Sequence, residues 1–183
     1  MAVFPTDTVM AVGCLASSRD GVRALFELKG RDADKPLILF IESAAALPRI
    51  TGSLAPRVKA MLDHFWPGAF TAILPLKAPF PQGVGKNGTV GVRVPDHPVS
   101  LGLVRSCGGA LATTSANLAG EEPFRDASAA REAWGNWVEV VDGSCGSVPS
   151  TVVDLTTWPP KVLREGKVSA RDIARIAARR LTA

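Results

Sequence analysis

Apolar runs of strand length alternate with helix-period segments from residue 2 to residue 181, and no shift in composition divides the chain. That alternation is the strongest constraint on the fold. Strands interleaved with helices build an α/β sheet, and strands that follow one another closely in sequence pair antiparallel, so the pattern predicts one α/β domain over residues 1–183 with a mixed parallel and antiparallel sheet. A chain of 183 residues fits one such domain, and 46% hydrophobic residues beside 21% charged ones are enough for a core and too mixed for disorder.

Residues 2–4 read as the end of a strand. A domain that starts in mid-strand is unusual, so the N-terminus is expected to be trimmed or its start misassigned. Residues 9–16 are apolar and small, which suits a buried strand or a short turn of helix; Ser18 then caps a helix over 19–28, with Val22, Leu25 and Phe26 inward. A strand is expected over 36–41, and helices over 43–47 and 55–65, the second stopped by Trp66-Pro67-Gly68. Strands over 70–76 and 89–94 flank a Pro/Gly-rich loop. Further on, the pattern predicts helices over 99–107 and 127–134, and strands over 110–114, 138–141, 151–155 and 161–163. Ser169 caps a last helix reaching residue 181, with Ile173, Ile176 and Ala177 inward and Arg171, Arg175, Arg179 and Arg180 mostly outward.

Several classes of function are disfavoured. Lys and Arg total 21 against 17 Asp and Glu, a mild excess of +4 that favours acidic ligands such as nucleotides or RNA. With no Tyr in the chain, base stacking has little support. No apolar run approaches the roughly 20 residues of a membrane span, and the first five residues lack the parts of a signal peptide, so the expected location is cytoplasmic with no membrane partner. Cys14, Cys107 and Cys145 are far apart and read as reduced, mostly buried thiols. His64 and His97 have no partner at metal-ligand spacing, and His97 reads as a turn residue. Gly83-Val84-Gly85-Lys86-Asn87-Gly88 fits G-x-G-x-x-G, but a Pro-rich loop precedes it and a strand follows, the wrong context for a dinucleotide site.

A stretch of cations and four polar clusters at strand ends remain. Lys29, Arg31 and Lys35 place three cations between a helix and a strand, with Arg31 offering a planar fork for phosphate or carboxylate oxygens. Taken alone, that stretch reads more simply as a solvated helix end favoured by the helix dipole. Ser115-Ala116-Asn117 follows an apolar strand, where open α/β sheets carry ligand loops, although capping the next segment serves equally. Arg93 lies inside an apolar strand, where burial is costly unless a carboxylate or phosphate stands beside it. Thr6-Asp7-Thr8, and Ser150-Thr151 with Arg164-Glu165-Gly166, complete the set. Together these clusters point to phosphate handling.

The same residues carry a family resemblance. Phe4-Pro5-Thr6-Asp7-Thr8-Val9, Lys29-Gly30-Arg31 with Lys35-Pro36-Leu37, Trp66-Pro67-Gly68, Val92-Arg93-Val94-Pro95, Ser115-Ala116-Asn117, Ser150-Thr151-Val152-Val153-Asp154 and Leu163-Arg164-Glu165-Gly166 resemble, in order, the blocks of the YrdC/TsaC family. The resemblance implies a twisted, mixed α/β sheet with a concave basic surface. It further implies an L-threonylcarbamoyladenylate synthase, a nucleotidyltransferase that uses ATP, L-threonine and bicarbonate or carbon dioxide, releases pyrophosphate and serves threonylcarbamoyladenosine modification of tRNA. By motif, Lys29 and Arg31 would be catalytic. Lys29, Arg31, Lys35, Thr89, Ser115, Asn117 and Arg164 would bind ATP, and Thr8, Arg93, Ser115 and Ser150 would bind L-threonine. Mg²⁺ would be held by the ATP phosphates. Further partners would be tRNA and the proteins that transfer threonylcarbamoyl to it. Met10-Ala11-Val12 stands where the family usually has Tyr-Gly-Leu, a change expected to remove a hydroxyl near the threonine site; Phe40 replaces a usual histidine, and Arg125 a small hydroxyl residue. An altered-substrate paralogue and an RNA-binding module are the alternative readings.

Overall fold

The computed structural model describes residues 1–30, 35–118 and 120–179. Nine strands form one sheet: β1 (Ala2–Phe4), β2 (Ala11–Leu15), β3 (Ile38–Ile41), β4 (Phe70–Pro75), β5 (Thr89–Arg93), β6 (Ala110–Ser115), β7 (Glu139–Val140), β8 (Thr151–Asp154) and β9 (Lys161–Arg164). Their order is β7-β1-β2-β6-β3-β5-β4-β8-β9. Sequence neighbours joined by short links pair antiparallel, as in β1–β2, β4–β5 and β8–β9, whereas β1–β7, β3–β5 and β4–β8 are parallel. The sheet is therefore mixed, as the alternation of elements predicts.

The helices are α1 (Arg19–Lys29), α2 (Leu47–Thr51), α3 (Pro56–Phe65), α4 (Pro98–Ser106), α5 (Ala127–Trp134) and α6 (Ala170–Ala177). Local chemistry sets their ends. The Ser18 hydroxyl accepts from Gly21 N at the start of α1, and Gly30 closes the helix in the left-handed region at φ 55°, its N–H returning to Glu27 and Phe26 carbonyls. The expected helix over 43–47 is a 3₁₀ turn (Ala44–Ala46) that runs on into α2 and stops at Gly52. Strand β3 starts two residues later than expected because Pro36 has no N–H to give the ladder and Leu37 makes only an isolated bridge to Val84. Helix α6 ends at Ala177, with Ala178 as its C-cap; residues 180 and 181 of the expected helix lie outside the described residues.

Pleating divides the sheet into two unlike faces. One carries Val3, Val12, Leu39, Ala72, Val92, Ala112 and Val153, which pack with Val22 and Leu25 of α1, Ile50 of α2, Met61 and Leu62 of α3, Trp134 of α5 and Ile173 of α6. That is the main core. The other face is covered at one end only, where Val104 of α4 meets Phe4, Ala11, Phe40 and Leu111. The remainder of this second face holds the cavity described next.

Candidate functional site: a basic, hydroxyl-lined cavity on the open sheet face

Register brings one row of side chains to the open face. Ala11 pairs with Ser115, Thr113 with Ile38, Phe40 with Arg93, Ile73 with Gly91, Thr71 with Val152, and Val152 with Arg164. Paired residues point to the same side, so these positions share one surface. All of them but Gly91 line a cavity of about 460 Å³ together with Thr6, Thr8, Asn117, Pro149 and Ser150 from the adjoining loops. Gly91 gives the Ile38 side chain its room, since a Cβ there would stand 2.6 Å from Ile38 Cγ2.

A β-bulge aims Arg164. The β8–β9 ladder shifts register between Val152 and Val153, so that Val153 faces Val162 while Val152 faces Arg164. An unbroken ladder would put Leu163 opposite Val152 and turn Arg164 away; the bulge instead leaves Leu163 exposed and brings Arg164 to the cavity. Arg164 Nη2 donates to Ser150 O at 2.8 Å and to Ser150 Oγ at 3.4 Å. The Ser150 hydroxyl is in turn 2.9 Å from Thr71 Oγ1.

Arg93, only 2% exposed, is held from three directions. Its Nε donates to Gly68 O at 2.8 Å, its Nη1 to Thr8 Oγ1 at 2.8 Å, and its Nη2 to Asp7 Oδ1. The carboxylate required beside a buried guanidinium thus comes from Asp7, within the chain. Asp7 is positioned in turn by Asp96 N, which donates to the same oxygen at 3.2 Å. Burial lowers the Arg93 pKa from its ordinary value, Asp7 opposes the shift, and the nearby charge of Arg164 adds to the lowering. Burial lowers Arg164 as well. Two partly desolvated guanidiniums in one cavity attract an anion more strongly than either would in water.

Lys29 corrects the reading of its stretch as a solvated helix end. It is 3% exposed, and its Nζ donates to Ser115 O and, at 2.9 Å, to Asn117 Oδ1. Asn117 Oδ1 also accepts from Ser115 Oγ at 2.6 Å, while Nδ2 donates to Leu118 O and Glu121 O at 2.7 and 2.9 Å. The C-terminal end of α1 is thereby tied to the loop after β6.

Of the expected site residues, Thr8, Arg93, Ser115, Asn117, Ser150 and Arg164 line the cavity, and Lys29 braces two of them from outside the lining. Lys35 is exposed in the turn before Pro36, and Thr89 donates its hydroxyl to Lys86 O at 2.9 Å; neither is part of the lining. Arg31 lies outside the described residues. Met10 is a correction: it is fully buried in the main core, on the opposite side of the sheet, because β2 turns Ala11 and not Met10 to the cavity. Phe40 does line the cavity, with the Arg93 guanidinium 5.4 Å above its ring. Arg125 is exposed, and its carbonyl accepts from Cys145 Sγ. His97 caps the start of α4, with Nε2 3.0 Å from Ser144 O, in keeping with a turn role. Cys14 is buried, whereas Cys107 and Cys145 are half-buried. Sequence reasoning did not assign Asp7, Thr6 or Thr71 to the site. Asp7 and Thr6 were visible as part of a polar cluster, and Thr71 was a hydroxyl in an otherwise apolar strand.

An α/β protein with paired guanidiniums, a buried lysine and four hydroxyl-bearing strand ends around one cavity is of the class that binds small anionic ligands through charge and hydrogen bonds. The comparisons with known proteins narrow that class. The Sua5/YciO/YrdC model, described as telomere recombination, matches residues 1–166, and the chain belongs to this family. It is 37% identical to a threonylcarbamoyl-AMP synthase of Bacillus subtilis over 178 residues, covering 94% of this chain and 51% of that protein. It is 38% identical to a threonylcarbamoyl-AMP synthase of Thiobacillus denitrificans over 165 residues, covering 88% of this chain and 86% of that protein. The crystal structure of Pyrococcus abyssi Sua5 complexed with L-threonine superposes with a TM-score of 0.90 at 35% identity, covering 96% of this chain and 53% of that one. The chain thus spans about half the length of the B. subtilis and P. abyssi proteins it matches.

Proposed function

We propose that this chain is a threonylcarbamoyl-AMP synthase, joining L-threonine, carbon dioxide or bicarbonate and ATP, and releasing pyrophosphate. The observation that carries this reading is the convergence, in one cavity, of Arg93 with Thr8, Arg164 with Ser150, and Ser115 with Asn117 braced by Lys29. The names of the relatives and the L-threonine in the P. abyssi structure support it.

In this reading Thr8, Arg93, Ser115 and Ser150 hold the amino acid. Lys29, Arg31, Lys35, Thr89, Ser115, Asn117 and Arg164 serve the nucleotide. The threonine amine takes up carbon dioxide, and the resulting carbamate oxygen attacks the α-phosphorus as pyrophosphate leaves. Such a reaction needs alignment and charge neutralisation rather than a protein nucleophile. A cation about 4 Å from a phosphate oxygen contributes roughly 4 kcal/mol at an effective dielectric near 20. In this reading Mg²⁺ arrives on the ATP phosphates, whose oxygens are the hard ligands it prefers. The product would pass to the machinery that modifies tRNA. No described helix is long and apolar enough to cross a membrane, and we place the activity in the cytoplasm.

Pyrophosphate release tests the proposal. The protein with ATP, L-threonine, bicarbonate and Mg²⁺ should release it only when threonine is present, and absence of threonine-dependent release would overturn the reading. Lys29→Met should reduce that release by about 100-fold or more, in the range for loss of one charge-stabilising group, while the far-ultraviolet circular dichroism is retained. Near-normal turnover would remove Lys29 from the machinery.

A further inference from the structure

The hydrogen bonds around the cavity fix the direction of two hydroxyl protons. Thr6 Oγ1 lies 2.8 Å from Val9 O, a group that only accepts, so the Thr6 proton points there. The bond of 2.9 Å between Thr6 Oγ1 and Thr8 Oγ1 must then be donated by Thr8. Thr8 Oγ1 also accepts from Arg93 Nη1, which only donates. With its proton on Thr6 and one lone pair on Arg93, the Thr8 oxygen has a single lone pair left, and Thr8 lines the cavity. Thr8 can accept there and cannot donate.

Ser115 is wired in the same sense by separate groups. The two carbonyls of Leu118 and Glu121 fix which end of the Asn117 amide is nitrogen, so Oδ1 is the atom facing Ser115. Ser115 must donate its proton to that oxygen, 2.6 Å away, and its lone pairs are what it offers elsewhere. Two cavity hydroxyls, one between β1 and β2 and one at the end of β6, thus have acceptor polarity, while the guanidiniums of Arg93 and Arg164 have donor polarity. The cavity is polarised for a ligand that carries both an anionic group and N–H donors.

We propose that Thr6 is a positioning residue: by holding the Thr8 proton away from the cavity it makes Thr8, alongside Ser115, a fixed acceptor for the amino group of the amino-acid substrate. This rests on the synthase reading, and it adds to it a reason why an α-amino acid is selected over the matching hydroxy acid. A hydroxyl in place of the amine brings one proton and no positive charge to acceptors that cannot reverse.

Calorimetric titration of the full chain with L-threonine and with 2,3-dihydroxybutanoate tests the inference. The wild-type protein should bind L-threonine about 10- to 100-fold more tightly, the range for charge-assisted hydrogen bonds. Thr6→Val keeps the shape of the side chain and frees the Thr8 proton. It should weaken L-threonine about 5- to 10-fold, narrow the ratio between the two ligands by the same factor, and leave ATP affinity within about twofold. Thr6→Ser should restore the wild-type ratio. A wild-type ratio near one overturns the inference without any variant, as does a Thr6→Val protein that binds L-threonine with an unchanged ratio. Parallel loss of ATP and L-threonine affinity would assign Thr6 a structural role instead. Failure of the wild-type protein to bind L-threonine at all would overturn the synthase reading along with the inference.

Discussion

Asp7 is the residue on which the cavity most depends. Its carboxylate compensates a guanidinium that is almost wholly buried, and the two groups are 86 positions apart in sequence. Asp7→Asn leaves that charge beside neutral partners and the repelling Arg164, so we expect a loss of about 3–5 kcal/mol in urea unfolding, the range for breaking a buried ion pair. A loss below about 1 kcal/mol would show that the pair is effectively solvated. Cys14 makes a second prediction. Burial raises its pKa from 9.0 to about 11, with the N-terminal charge a smaller opposing influence. The folded state therefore holds a proton that the unfolded chain loses first. This contribution to stability is complete below pH 9 and disappears as pH rises through about 11. Iodoacetamide at pH 8 should accordingly label Cys14 last of the three cysteines, as read by peptide mass, and labelling as fast as at Cys107 would contradict the burial.

At the scale of elements, the pairing of strands decides what faces the cavity. Gly91 on β5 lies between Ile38 and Ile73, and the added methyl of Gly91→Ala would press on Ile38. Overpacking of this kind costs about 1–3 kcal/mol, which a thermal melt should register as a fall of several degrees. An unchanged melting temperature would mean that β3 and β5 can separate without cost. Much at this scale was legible in the sequence. Ser18 and Trp66-Pro67-Gly68 mark helix ends through local chemistry, and apolar runs of strand length mark the strands. The identity of the open face was not legible, because it follows from β6 lying between β2 and β3 and from α4 covering only one end of that face. For that reason the Met10 position, expected to matter for a hydroxyl near the threonine site, lies in the main core, and Ala11 lines the cavity. The bulge at Leu163 was hidden for a similar reason, since it exists only relative to β8.

Across the molecule, one sheet face carries the main core and the other, covered at one end only, holds the cavity. Several of the dispersed family blocks meet at the cavity on that second face, those of Thr8, Arg93, Ser115, Ser150 and Arg164 among them. Lys29, Thr8, Arg93, Ser115, Asn117, Ser150 and Arg164 were identifiable from these blocks, yet their hydrogen-bond polarity and the place of Asp7 depend on contacts across the fold. We propose that a single cavity receives both the amino acid and the nucleotide. A crystal soaked with L-threonine and a non-hydrolysable ATP analogue tests it most directly. The threonine amino group should lie beside Thr8 and Ser115, its carboxylate near Arg93 and Ser150, and the phosphates toward Arg164 and the Lys29 end of α1. Clear density for either ligand elsewhere, with this cavity filled only by water, would contradict it.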